Sequence, residues 1–162
     1  MAGYNVSMRA FLLALAFVQT LLPKSTVQQI TVMPATSAAT VAKGSAVTLW
    51  ADVTPNKNMH VYATDKQGFT PLSLKIASQP RIEIGKVTYP PAETGLNPGI
   101  DMVIPIPMYT KLFRVAQAIT ISPSAKSGDV LTIAGAINYQ ACDDRLCYPA
   151  TSMPVTWVVT VK

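Results

Sequence analysis

From Gln28 onward the chain is a run of short apolar segments cut by proline or glycine about every ten residues, a rhythm that favours a β fold. Thirteen prolines reinforce it. Each lacks a backbone N–H and clashes with the preceding turn, so long helices are disfavoured after residue 25. Nine strands are expected: Gln28 to Met33, Ala46 to Val53, Met59 to Ala63, Leu72 to Ile76, Ile82 to Tyr89, Asp101 to Ile106, Phe113 to Ile121, Val130 to Tyr139 and Val155 to Val161. Turn signals separate them at Lys43-Gly44, Pro55 to Asn58, Gln67-Gly68, Pro90-Pro91, Asn97-Pro98-Gly99 and Ser127-Gly128-Asp129. Thr36 to Ala42, made mostly of small residues, reads as a loop or frayed edge. The expected architecture is all-β, an immunoglobulin-like β-sandwich. Trp50 and Trp157 are expected to anchor its core.

The first residues follow a different pattern. Arg9 precedes an apolar stretch, Ala10 to Leu22, broken only by Gln19 and Thr20; its length of about 13 residues is that of a signal-peptide core and short for a membrane span. Residues 1–24 are therefore expected to be a signal peptide or membrane anchor, and residues 25–162 the working domain. That places the domain in the periplasm or another exported location, where disulfides persist. A chain of 162 residues fits one such domain and can bury a core without covalent staples. Its net charge of +5 is scattered, with no basic stripe of the kind nucleic-acid binders carry. Motifs for hydrolase or nucleotide chemistry are absent too.

The chemistry-bearing segment is Asn138 to Ala150, which holds the chain's two cysteines, Cys142 and Cys147, in a C-x4-C spacing. Four intervening residues suit a β-hairpin tip with one cysteine on each arm, close enough to bridge. Spacing and compartment alone leave three roles open: a structural staple, a redox couple, or part of a metal site. Zinc lacks ligands, since two thiols and the single His60 make an incomplete set. Copper(I) has thioether candidates in Met33, Met59, Met102, Met108 and Met153, which their scatter makes better core filler. Asp143 and Asp144 disfavour a thiolate at Cys142, while Cys147 follows Arg145 and Leu146. Cys147 is thus the expected point of attack and Cys142 the resolving thiol. His60 and Tyr62 share one face of their strand; His60 is a candidate proton donor or acceptor. Tyr139 and Tyr148 flank the cysteines as candidate screens.

The motif YQACDDRLCYP, residues 139 to 149, resembles the N-terminal domain of the DsbD thiol:disulfide interchange family. MHVYA at 59 to 63, VTYPPAETG at 87 to 95 and DMVIPIP at 101 to 107 follow the family's order, and the likeness runs from Thr31 to Lys162. It implies an immunoglobulin-like fold in the periplasm, with Cys142 and Cys147 as a redox-active disulfide working without a cofactor. It implies protein-disulfide reductase-like exchange. Electrons would come from a membrane electron transporter or a thioredoxin-like protein and pass to exported partners, among them disulfide isomerases and cytochrome c maturation proteins. It also implies a cap loop over the cysteines, placed near Tyr89 to Gly95, with Tyr89 substituting for a family Phe and Glu93 as a nearby acid. The chain departs from the best-known member in having one residue fewer between its cysteines and Pro149-Ala150 where that member has Pro-Pro. No membrane domain or C-x-x-C thioredoxin domain is read in the chain, so its electrons are expected from another polypeptide. The alternatives to this redox carrier are a secreted β-sandwich interaction module with a permanent disulfide and a copper(I)-binding module.

Overall fold

Alternating burial along the longest strands produces two facing sheets. The computed structural model describes residues 28–64, 68–96 and 105–162. The leader expected at residues 1–24 lies outside them. The strands are β1 Ile30–Thr36, β2 Thr40–Val41, β3 Ala46–Pro55, β4 His60–Tyr62, β5 Ser73–Ile76 and β6 Ile82–Thr88. They continue as β7 Glu93–Gly95, β8 Ile106–Tyr109, β9 Phe113–Ile121, β10 Val130–Tyr139, β11 Ala141–Cys142 and β12 Thr151–Val161. One sheet has the order β1-β3-β9-β6, the second β2-β12-β10-β5, and a third, smaller one β11-β4-β8-β7. No α-helix occurs among the described residues.

Every second residue of the long strands points inward. Val47, Leu49, Ala51 and Val53 of β3 meet Val115, Ile119 and Ile121 of β9 in one sheet. Leu131, Ile133 and Ile137 of β10 and Val155, Trp157, Val159 and Val161 of β12 come from the other. All belong to one continuous buried cluster, the core of a β-sandwich. Trp157 also ties the sheets by polarity: its indole N–H donates to the Trp50 carbonyl at 2.8 Å. The turns use residues that tolerate a left-handed backbone. Gly44 and Gly128 have φ of 74° and 89°, at two of the expected breaks.

Several expectations need correction. Trp50 is not a core anchor; it lies half-buried on the outer face of β3 with the Arg114 guanidinium 4.5 Å above its ring. Arg114 is itself held by a bidentate pair with Asp52, the cross-strand partner. Met33 is 67% exposed and fills no core. Within Thr36 to Ala42, Thr40 and Val41 form a short strand parallel to the end of β12. Their alternation is too brief to read, and the pairing is long-range. The strand expected at Asp101 to Ile106 falls partly outside the described residues, and β8 runs on to Tyr109.

The third sheet grows from one end of the sandwich. β3 turns into β4, β8 leads into β9, and β10 leads through Gln140 into β11. Tyr139 at the end of β10 donates to Gln29 beside the start of β1, marking this as a shared end. The long strands thus form a base from which the four short strands of the third sheet project.

Candidate functional site

Cys142 and Cys147 face each other as an antiparallel bridge and form a disulfide, with Cα atoms 4.0 Å apart. The expected hairpin is therefore present. Cys142 is fully buried and lies directly opposite His60 in the β11–β4 register. Cys147 is half-buried. A small apolar cluster surrounds them, made by Tyr62, Ile106 and Met108 with Phe69 packed against it.

The Tyr62 hydroxyl lies 3.1 Å from Cys142 Sγ and 3.6 Å from Cys147 Sγ. A disulfide sulfur carries no proton, so the hydroxyl is the donor in this state. Tyr62 is held from both sides. Phe69 stacks on its ring at 4.0 Å, and His60 meets it edge-on at 5.4 Å.

The loop between the cysteines is organised around Asp143. Its carboxylate accepts from the Arg145 N–H at 2.7 Å, the Leu146 N–H at 2.9 Å and the Tyr148 hydroxyl at 2.9 Å. The amides of Leu146 and Arg145, with Tyr148 and the Arg145 charge, hold the Asp143 carboxyl below its usual range. The same bond pushes the Tyr148 hydroxyl up. At neutral pH the pair is thus a carboxylate and a neutral phenol. Gln140 anchors the neighbouring segment: it accepts from the Thr70 N–H at 2.9 Å and donates to the Tyr148 carbonyl at 3.3 Å.

Of the candidate residues, the structure brings together Cys142, Cys147, His60, Tyr62 and, through Asp143, Tyr148. It gives Tyr89 and Glu93 other partners. The Tyr89 hydroxyl accepts from the Leu74 N–H at 3.0 Å. Glu93 sits on β7, at the opposite edge of the third sheet from β11. There the Thr110 hydroxyl and Lys111 ammonium hold its carboxyl below the ordinary value. Tyr139 is buried in the main core and does not screen the cysteines. Phe69 carries no sequence signal of site membership; Gln140 and Ile106 lie in the quoted motifs and Met108 among the thioether candidates, but none is singled out as a neighbour of the disulfide. The aromatic stacked on Tyr62 is Phe69, from the segment after β4, and not Tyr89. Among the described residues, no three His, Cys, Asp or Glu side chains gather as a metal-ligand group.

His60 is 6% exposed, and among the described residues its Nε2 has no hydrogen-bond partner. Burial pushes its pKa below the ordinary 6.5, and the nearby Asp143 charge only partly opposes this. Native His60 therefore stays neutral where the unfolded chain takes up a proton. The unfolded state then binds more protons as pH falls below about 6.5, so stability declines in that window. The depressed carboxyls Asp52, Asp129 and Asp143 act in the same sense, but only near and below their ordinary 3.8. Thermal melts are expected to show a fall in Tm between about pH 7 and pH 5 that a His60→Phe variant flattens. An unchanged decline in that variant assigns it to another group.

In structural comparisons the chain resembles the N-terminal periplasmic domain of ScsB from Proteus mirabilis. The TM-score is 0.50 and the identity 9%, over 87% of this chain and 49% of that one. At that identity the likeness is one of fold, and the chain spans about half the length of the ScsB chain. AggA, the major subunit of aggregative adherence fimbriae type I of Escherichia coli, aligns at a TM-score of 0.36. Its identity is 13%, over 85% of this chain and 98% of that one. No curated protein matches by sequence. The family model for the thiol:disulfide interchange protein DsbD, N-terminal, matches residues 28–156, which span both sandwich sheets and the cysteine hairpin. By this match the chain belongs to the DsbD N-terminal domain family.

Proposed function

We propose that this domain is an exported carrier of reducing equivalents, working by thiol–disulfide exchange at Cys142 and Cys147. The observation that carries the reading is the unequal burial of the two sulfurs, with Cys142 enclosed and Cys147 half-buried at the hairpin tip. A thiolate of a thioredoxin-like donor, itself supplied by a membrane electron transporter, attacks Cys147 Sγ. The Cys142–Cys147 bond breaks, Cys142 leaves as a thiolate and takes up a proton, and a mixed disulfide forms. The donor's second thiol displaces Cys147, which leaves the donor oxidised and this pair reduced. The reverse sequence, on the disulfide of an exported acceptor, returns the pair to its closed form. No cofactor takes part in either sequence.

Tyr62 suits this chemistry. Its hydroxyl reaches Cys142 in the closed form and is placed to donate to the thiolate that departs. Neutral, buried His60 lies across the strand from the same sulfur and is available to exchange its proton. Membership in the DsbD N-terminal family supports the exchange reading, and periplasmic placement and partner class follow by analogy with that family.

Equilibration with glutathione tests the proposal. The expected reduction potential lies above about −300 mV, with rapid exchange against a thioredoxin-type protein; a lower potential with slow exchange identifies a structural bond.

A further inference from the structure

We infer that Asp143 is a positioning residue that holds the loop between Cys142 and Cys147 in one shape through both redox states, and so sets the balance between disulfide and dithiol. The inference rests on the exchange reading of the same pair. Five hydrogen bonds hold the loop. Three end on the Asp143 carboxylate, from the Arg145 and Leu146 amides and the Tyr148 hydroxyl. Two are main-chain bonds, from the Asp143 N–H to the Leu146 carbonyl at 3.0 Å and from the Tyr148 N–H to the Ala141 carbonyl at 2.9 Å. None of the five involves a sulfur atom. Opening the S–S bond, with two electrons and two protons added, breaks none of them.

The consequence is one of effective concentration. Two thiols tethered by a slack loop wander apart, and that freedom favours the dithiol. Two thiols held across a fixed hairpin stay within reach, and that favours closure. The same fixity keeps Cys142 beside Cys147 during a mixed disulfide, which shortens its life. Asp143 supplies three of the five bonds from one side chain, so it is the residue whose loss frees the loop most.

The test compares three variants by equilibration with glutathione and by melting in each redox state. Asp143→Ala is expected to shift the equilibrium toward the dithiol about tenfold, or about 30 mV for a two-electron couple. Asp143→Asn loses the charge but keeps an oxygen for the two amides, and is expected to shift it less than about threefold. Tyr148→Phe removes one of the three bonds and is expected to lie between the other two. Equal shifts in Asp143→Asn and Asp143→Ala assign the effect to charge and overturn the inference. So does an Asp143→Ala protein that melts lower in both states at an unchanged equilibrium. Should Asp143→Ala fail to fold, the other pair decides: Tyr148→Phe must shift the equilibrium further than Asp143→Asn. The wild-type potential judges the exchange reading, whereas the ratio of variant to wild type judges Asp143 alone.

Discussion

A Cys142→Ser variant is expected to accumulate a mixed disulfide between Cys147 and a single-cysteine thioredoxin-type partner activated as a mixed disulfide with a small aromatic thiol, which leaves as the free thiol, whereas Cys147→Ser accumulates none. Cys147 is half-buried, whereas Cys142 is fully buried and enclosed by Tyr62, Ile106 and Met108. With Cys142 present, attack on the mixed disulfide is intramolecular across a hairpin whose Cα atoms are 4.0 Å apart. Intramolecular attack from so close carries a large effective concentration, so its loss is expected to slow resolution by roughly a thousandfold or more. Non-reducing gels and intact mass of the trapped species measure this directly. A stable adduct through Cys142 in the Cys147→Ser protein reverses the assignment of the two thiols.

Much of this site was legible because the informative residues are close in sequence. The C-x4-C spacing predicts the hairpin, and the alternation of His60 and Tyr62 puts both side chains on one face. The alternation of β3, β9, β10 and β12 likewise marks the core-facing side of each strand. Alternation describes a strand's own two faces, however, and says nothing about what lies above the outer one. Trp50 has the composition of a core residue, yet its alternation with Leu49 and Ala51 puts it on the outer face, where Arg114, paired with Asp52 across β3 and β9, covers its ring. Phe69 gave no warning because its position depends on a loop path fixed by Gln140, some 70 residues further along the chain. The cap expected at Tyr89 to Gly95 rested on family order alone. The structure instead ties Tyr89 to Leu74 and Glu93 to Thr110 and Lys111. Asp143 was read through its charge on a neighbouring thiol, whereas its carboxylate turns into the loop and is spent on two amides and a phenol.

Trp157→Ala is expected to cost about 3–5 kcal/mol, more than removing both cysteines. Trp157 is 2% exposed and links the sandwich sheets through the Trp50 carbonyl, so truncation leaves both a cavity and a severed hydrogen bond. Against a typical total of about 5–15 kcal/mol, that loss leaves the fold marginal or undone. The disulfide joins residues only 5 apart in sequence. Closing so short a loop restricts the unfolded chain little, and a Cys142→Ser/Cys147→Ser double variant is expected to lose about 2 kcal/mol. Urea titrations of the two variants, compared at equal m, measure the difference. A double variant less stable than Trp157→Ala makes the bond a staple and removes the main physical reason to treat it as free to open. The opposite order means the sandwich stands on its own core, and that independence lets a bond at its tip break and re-form without unfolding the domain that carries it.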